Sequence, residues 1–197
     1  MIIVGLTGSI AMGKSETAKM FRALNVPVFD ADQAVHDLYA KGGKAVKAVG
    51  ALFPSAIVDD AVDRTRLAKL VLNDKQALKD LEAAVHPLVR EQRQEFLNTS
   101  RREGQPLVVL DIPLLFETKA QGSVDKVVVV SAPADIQRKR ALERPGMTAE
   151  KFEAILQKQV PDEEKRAAAD FVVDSSKGLD AAQAQVEDIV QTLLHQA

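Results

Sequence analysis

Apolar residues occur along the chain in short continuous runs, and segments with a helical spacing of apolar residues separate these runs. Continuous apolarity, rather than alternation of apolar and polar residues, is typical of strands that are buried on both faces. Strands that alternate with helices through right-handed crossovers form a parallel sheet flanked by helices. The pattern therefore predicts an α/β fold with a five-stranded parallel sheet. The runs are Ile2–Leu6, Val26–Phe29, Leu107–Leu110, Val127–Val130 and Phe171–Val173.

Far more chain separates the second run from the third than one crossover helix needs. The residues in between have mostly helical patterns, and the longest of these, about Lys75–Leu97, contains Pro87, where a kink is expected. The excess predicts a helical insert, about residues 36–100, within a single domain of residues 1–197. An insert of this kind commonly forms the site of a second substrate, and scaffolding is the alternative. Shorter helices are predicted over Asp32–Tyr39, Lys44–Leu52 and Arg64–Leu72.

A second irregular segment lies between the fourth and fifth runs. Asp135–Glu143 has the pattern of a helix, and a Pro-Gly break follows it. Thr148 is then a typical N-cap for another helix, which extends to Gln159. Basic residues beside the break predict a lid, about residues 138–160, whose arginines close on phosphate groups, with a solvated helix face as the alternative. These basic residues are Arg138, Lys139, Arg140 and Arg144.

Residues 8–15 match the pattern G-x-x-x-x-G-K-[ST] and lie between a strand and a helix. In this context the loop is a phosphate cradle, because the glycines let backbone N–H groups converge on phosphate oxygens at a helix N-terminus. Lys14 is expected to reach the β- and γ-phosphates, and the Ser15 hydroxyl to bind Mg²⁺. The loop therefore predicts a nucleoside triphosphate and Mg²⁺ as ligands. The predicted nucleotide-binding residues are Gly8, Ser9, Ile10, Ala11, Met12, Gly13, Lys14, Ser15 and Glu16.

Carboxylates follow two of the predicted strands, at the edge where open α/β sheets bind ligands. Asp30 and Asp32 lie on the same side of the extended chain. One of them could accept a proton from an attacking hydroxyl, while the other caps the next helix or holds a Mg²⁺-bound water. The alternative is that Asp32 is only an N-cap. Asp111 ends another strand, either as a water-mediated Mg²⁺ partner or as a loop residue near substrate.

The bulk composition excludes several classes of site. The net charge of −2 gives no overall attraction to nucleic acid or to a membrane, and no apolar run approaches a membrane span. Without cysteine the chain has no disulfide or thiolate site, which fits a reducing cytoplasm. The three histidines are isolated and predict no metal site. We therefore expect a cytoplasmic protein with a small-molecule partner and no nucleic-acid or membrane partner, favoured as a monomer.

With these residues in hand, the chain resembles the dephospho-coenzyme A kinase family over nearly its whole length. The stretch Asp-Ile-Pro-Leu-Leu-Phe-Glu at residues 111–117 and the pair His86-Pro87 are much more specific than the phosphate-binding loop, which unrelated kinases share. Further matching residues are Leu6-Thr7-Gly8-Ser9-Ile10, Asp30-Ala31-Asp32, Asp63-Arg64, Gln137, Arg140, Arg144, Gln159, Arg166 and Ala169-Asp170.

The resemblance implies a P-loop kinase that transfers the γ-phosphate of ATP to the ribose 3′-hydroxyl of dephospho-CoA. This reaction is the last step of coenzyme A biosynthesis. The insert would then hold the pantetheine-bearing substrate, and lid arginines would contact nucleotide phosphates. The resemblance implies three catalytic residues, which are Asp32 as the base, Lys14 and Arg140. It also implies that Arg140 and Arg144 bind the nucleotide. The substrate-binding residues that it implies are Thr7, Asp32, His86, Asp111, Pro113, Leu114 and Leu115.

The chain departs from the family pattern at three places. Ala11 stands where relatives usually have Gly, and its methyl should be tolerated if φ is negative there. Glu16 stands where they usually have Thr, and its carboxylate could weaken ATP binding unless it turns outward to Lys19. Phe53-Pro54 replaces a usual Phe-Gly pair and should change only a loop.

Two other functions compete with this interpretation. One is a different P-loop kinase, acting on a nucleoside monophosphate or on shikimate, and the helical insert and the residue 111–117 stretch count against it. The other is a nucleotide-gated binding switch with no acceptor. The missing guanine signature Asn-Lys-x-Asp and a carboxylate near the γ-phosphate position count against the switch.

Overall fold

In the computed structural model, which describes residues 1–195, five strands form one sheet. Their order across the sheet is Val28–Asp30, Leu107–Asp111, Ile2–Thr7, Lys126–Ser131 and Phe171–Asp174. The central strand, Ile2–Thr7, pairs in parallel with both neighbours, for example Ile3 with Val108 and Gly5 with Val127. The predicted fold class, an α/β protein with a five-stranded parallel sheet flanked by helices, is confirmed. The strands are β1 (Ile2–Thr7), β2 (Val28–Asp30), β3 (Ile57–Val58), β4 (Ala61–Val62), β5 (Leu107–Asp111), β6 (Lys126–Ser131) and β7 (Phe171–Asp174).

Most helices follow the predicted apolar spacing, and two were not predicted, Asp162–Ala167 and Leu179–Leu194. The longest helix runs through Pro87 without ending there and continues five residues past its predicted end at Leu97. The helix that was predicted to extend to Gln159 ends at Leu156, and Pro161 occupies the N-cap position of the next helix. The helices are α1 (Lys14–Ala23), α2 (Ala31–Tyr39), α3 (Lys44–Leu52), α4 (Arg64–Val71), α5 (Lys75–Arg102), α6 (Ala134–Leu142), α7 (Ala149–Leu156), α8 (Asp162–Ala167) and α9 (Leu179–Leu194).

The chain folds as two compact units. The first unit comprises Met1–Phe29 and the described residues from Ser100 onward, and it contains the sheet. Its main core lies where α1 and α9 pack on one face of the sheet, with Leu6, Phe21 and Val186 fully buried. A smaller cluster around Leu115 buries residues of β6 and of the loop after β5.

The second unit is Asp30–Thr99. Its core is formed by apolar residues of α2, α3, α4 and α5, with Leu38 and Val49 among the most buried. Lys44 of α3 and Glu91 of α5 form an ion pair at 2.9 Å. The segment was predicted as a mostly helical insert, and besides its helices it contains a short antiparallel hairpin of β3 and β4 that was not predicted. Its turn residues Asp59 and Asp60 have positive φ, which aspartate tolerates better than most residues.

No helix within residues 1–195 combines the length and the apolarity that crossing a lipid bilayer requires.

Candidate active site

The predicted phosphate-binding loop joins the end of β1 to the start of α1. Two of its glycines are required by the backbone. A Cβ on Gly8 would lie 2.6 Å from the carbonyl oxygen of Val130, and Gly13 has a φ of +98°. The first N–H groups of α1 have no acceptor within the helix, so this end of the helix favours an anion.

Side chains that follow β6 hold the loop in shape. The Ile10 N–H donates to Oε1 of Gln159 at 3.1 Å, and Nε2 of Gln137 donates to the Ile10 carbonyl at 2.9 Å. The Ala132 N–H lies 3.1 Å from the sulfur of Met12. Within the loop itself, the Met12 N–H donates to the Ser9 carbonyl at 3.2 Å. The loop conformation therefore depends on residues that follow β6, and Gln159 among them belongs to the segment predicted as a lid.

The methyl of Ala11 was expected to be tolerated if φ is negative, and the structure has a positive φ at this residue. Its φ is +61°, in the left-handed region, where a side chain with a Cβ costs roughly 1–2 kcal/mol. The methyl is buried against Ala141 of α6 and Phe152 of α7. The contact offsets part of the backbone strain, since a glycine at this position would leave the two lid helices with one less apolar partner.

Lys14 and Asp111 lie together at the carboxyl edge of the sheet. Nζ of Lys14 donates to Oδ1 of Asp111, whose residue is 5% exposed. Asp111 is thus a direct partner of the loop lysine, an arrangement that neither of the alternatives considered for it had included. Nearby in sequence, Oγ1 of Thr7 donates to the Pro113 carbonyl at 3.3 Å.

The two leucines predicted to contact substrate differ in exposure. Leu114 is 46% exposed, whereas Leu115 is fully buried and belongs to an apolar cluster with Phe116 and residues of β6. In this arrangement Leu115 acts in packing, and Leu114 presents its side chain to solvent.

Arg140 and Arg144 line one cavity of about 260 Å³ together with loop residues Ala11 and Gly13. The rest of the cavity wall comes from α1, from residues that connect β7 to α9 and from the first turn of α9. The two arginines are not neighbours on a helix, because α6 ends at Leu142. The cavity joins the phosphate-binding loop to basic side chains, which is the arrangement an anionic nucleotide needs.

The other basic residues of α6 do not line this cavity. Arg138 pairs with Glu153 of α7 at 2.5 Å and lies 5.9 Å from the centre of the Phe152 ring. Lys139 is exposed. The basic cluster is therefore divided, with Arg140 and Arg144 on the cavity and Arg138 holding the two lid helices together.

Glu16 and Ser15 lie in the first turn of α1 and are exposed. Oε1 of Glu16 accepts a hydrogen bond from Nζ of Lys19 at 2.8 Å, which is the outward arrangement that the sequence analysis had left open. Glu16 still contributes to the cavity wall. Within residues 1–195 no three His, Asp or Glu side chains are grouped as metal ligands, and Ser15 stays the predicted Mg²⁺ ligand.

In the second unit, Asp30 and Asp32 have different roles. Oδ1 of Asp30 accepts from the N–H groups of Asp32 and Gln33, at 3.0 and 3.1 Å, so Asp30 is the N-cap of α2. The alternative that Asp32 is only an N-cap is therefore wrong. Among residues 1–195 no hydrogen bond or ion pair engages the exposed Asp32 carboxylate. His86, the other predicted site residue of this unit, is exposed on α5.

Two residues next to the loop were missed by the sequence analysis. Ser175 binds Arg140, and Lys165 is fully buried with Nζ 2.8 Å from Glu117 and 3.1 Å from Oγ of Ser9. Lys165 occurs in the charged run Asp-Glu-Glu-Lys-Arg, which is typical of a solvated helix. No local pattern distinguishes it from its exposed neighbours.

Burial alone would raise the pKa of Glu117. Hydrogen bonds from Lys165 and from the Val160 N–H, together with the positive charge of Lys165, outweigh burial and lower the pKa below its usual value. The Glu117 carboxylate is therefore ionised at neutral pH.

Comparison with known proteins places this geometry in context. Residues 2–181 match the family model described as dephospho-CoA kinase. A dephospho-CoA kinase from Mesorhizobium japonicum is 58% identical over 193 residues, covering 98% of this chain and 97% of the relative.

Solved structures share the fold. A crystal structure of TT1252 from Thermus thermophilus has a TM-score of 0.79 at 36% identity and covers 97% of this chain and 96% of that one. A dephospho-CoA kinase from Campylobacter jejuni has a TM-score of 0.71 at 24% identity, with coverage of 97% and 96%, and supports the fold alone.

Proposed function

The chain belongs to the dephospho-CoA kinase family, and we propose that it transfers the γ-phosphoryl group of ATP to the ribose 3′-hydroxyl of dephospho-CoA, completing coenzyme A. The observation that carries the proposal is the cavity shared by Arg140, Arg144 and the phosphate-binding loop, because it supplies backbone donors and positive charge for a triphosphate. Membership of the family indicates dephospho-CoA as the acceptor.

On the nucleotide side, the loop and the first turn of α1 would bind the phosphates of ATP. Lys14 would exchange its contact with Asp111 for the β- and γ-phosphates, and its charge would stabilise the leaving ADP. Ser15 would hold Mg²⁺, which supplies charge neutralisation between the same phosphates. Arg140 and Arg144 would bind the phosphates from the cavity wall.

On the acceptor side, Asp32 would act as the general base. Its carboxylate is exposed and unengaged within residues 1–195, because Asp30 caps the helix in its place. Asp32 would take the proton of the 3′-hydroxyl while that oxygen forms a bond to the γ-phosphorus. The bond from the γ-phosphorus to the bridging oxygen breaks, and ADP leaves with that electron pair. The insert, about residues 36–100, and His86 would hold dephospho-CoA.

An ADP-release assay tests the reaction, with dephospho-CoA, adenosine, AMP and shikimate as separate acceptors. We expect ADP release that depends on dephospho-CoA and a product that carries one added phosphoryl group by mass spectrometry. Lys14→Ala is the matched negative control, and it should lose at least about two orders of magnitude in turnover. Transfer only to AMP or shikimate would indicate a different small-molecule kinase, and ATP binding without any acceptor would indicate a nucleotide switch.

Hydrogen exchange tests the division between the two ligands. ATP alone should protect residues 8–16, and dephospho-CoA alone should protect parts of residues 36–100. Protection of residues 36–100 by ATP and not by dephospho-CoA would contradict the proposed role of the insert.

A further inference from the structure

Lys165 is the most unusual ionisable residue of the first unit, because its side chain is fully buried next to the phosphate-binding loop. Its Nζ donates to Oε1 of Glu117 at 2.8 Å and to Oγ of Ser9 at 3.1 Å. The same Glu117 oxygen accepts from the Val160 N–H at 2.9 Å. The ion pair thus joins the loop to the segment after β5 and to the segment between α7 and α8.

Stability alone is a poor explanation for this arrangement. Removing two charges from water is costly, and replacing a buried ion pair with apolar residues of similar size is often neutral or stabilising. Oε2 of Glu117 is also buried without a hydrogen-bond partner among the described residues. Unlike apolar packing, an ion pair forms hydrogen bonds of fixed direction.

One of the hydrogen bonds of Lys165 goes to Ser9, the residue whose backbone carbonyl closes the turn of the loop. The Ser9 hydroxyl accepts from Lys165, and the Ser9 carbonyl accepts the Met12 N–H at 3.2 Å, which forms the turn of the loop. Next to Ser9, both backbone groups of Ile10 are held by Gln159 and Gln137. Displacing Ser9 would therefore change the direction of the N–H groups offered to phosphate.

We propose that Lys165 is a positioning residue of the phosphate-binding loop. It holds Ser9, Glu117 holds Lys165, and the loop keeps its phosphate-binding shape before the nucleotide arrives. This inference rests on the proposed function, since it assigns Lys165 to the binding of the ATP triphosphate. In this role Lys165 itself contacts neither substrate.

Variants separate a positioning role from a purely structural one. Lys165→Met leaves Glu117 buried without its cation, so both thermal stability and ATP affinity should fall. Combining it with Glu117→Gln removes the uncompensated charge, and stability should recover. ATP affinity should stay about tenfold or more below wild type, because Ser9 still lacks its charged donor. Lys165→Arg should restore part of the affinity, and Lys158→Met, an exposed lysine of the same segment, is the control.

Ser9→Ala tests the same contact without altering the ion pair. It should lower the melting temperature only slightly, because the buried Lys165 ammonium keeps Glu117 and loses one acceptor. It should raise the dissociation constant of MgATP measured by calorimetry and leave the KM for dephospho-CoA unchanged. Wild-type ATP affinity in Ser9→Ala, or in the double variant once its stability has recovered, would overturn the inference. If the double variant does not fold, Ser9→Ala decides the outcome. Failure of the wild-type protein to bind MgATP would instead contradict the proposed function.

Discussion

Arg140 donates two hydrogen bonds to Ser175, from Nη1 to the hydroxyl and from Nη2 to the carbonyl oxygen, each 2.8 Å long. The Ser175 hydroxyl in turn donates to the Met12 carbonyl of the phosphate-binding loop at 2.7 Å. The guanidinium is therefore fixed at the cavity wall by a residue that touches the loop. Preorganised charge of this kind does not have to be reoriented when a phosphate binds.

Arg140→Ala should raise the dissociation constant of MgATP or lower turnover by about ten- to a hundredfold, because it removes a charged donor from the cavity. Arg144→Ala should act in the same direction. Lys139→Ala is the matched control on α6, and its exposed side chain should change either quantity by less than about fivefold. Equal losses from all three variants, measured by calorimetry and initial rates, would favour a diffuse basic face over a clamp.

Asp32→Asn should reduce kcat by about two to four orders of magnitude, the usual scale for removal of a general base, with little change in ATP affinity. Asp30→Asn is the matched control, because asparagine is as good an N-cap as aspartate and should preserve the hydrogen bonds to Asp32 and Gln33. Steady-state kinetics on both variants decide between the two carboxylates. An active Asp32→Asn beside an inactive Asp30→Asn would mean that the base is Asp30.

Glu16→Thr should change ATP affinity by less than about fivefold, because the carboxylate is already paired with Lys19 on the exposed surface of α1. Lys19→Ala removes that partner and should weaken ATP binding slightly, since Glu16 then repels phosphate without compensation. Titration of ATP against both single variants and the double variant measures the coupling. A large gain in affinity from Glu16→Thr alone would show that the outward pair does not neutralise its charge.

Asp170 should contribute to stability against acid. Burial acts to raise the pKa of its carboxyl, but hydrogen bonds from the Val127 N–H at 2.8 Å and from Lys126 at 3.0 Å lower the pKa below the usual 3.8. A pKa that is lower in the folded state stabilises the fold above the ordinary pKa. That contribution is lost as pH falls through the lowered value.

The free energy of unfolding should therefore be lower for Asp170→Asn than for wild type at about pH 6, and the difference should shrink below about pH 4. Urea titrations at a series of pH values measure it. Glu103→Gln, at an exposed residue with no ion pair among residues 1–195, is the control and should show no such convergence. A difference that stays constant down to about pH 2 would mean that the contribution of Asp170 does not depend on its charge.

The elements of the sheet and most helices could be predicted from the sequence because their signals are local. Continuous apolar runs mark the five strands, and strand, glycine loop and helix occur as neighbours in residues 2–24. The stretch at residues 111–117 was likewise enough to indicate the family, because it consists of consecutive residues and needs no knowledge of the fold. The hairpin of β3 and β4 escaped prediction because two-residue strands are too short to show a period.

Partners and burial had to come from the tertiary structure. Lys14 meets Asp111 across 97 positions of the sequence, and Lys165 meets Ser9 across 156. The fold likewise buries Leu115 and exposes Leu114, and it gives Ala11 a positive φ against two lid helices. A local sequence pattern indicates which chemistry a side chain is capable of. Whether a lysine is solvated or holds a phosphate-binding loop depends on which distant segments pack around it, and that is decided only when the chain is folded.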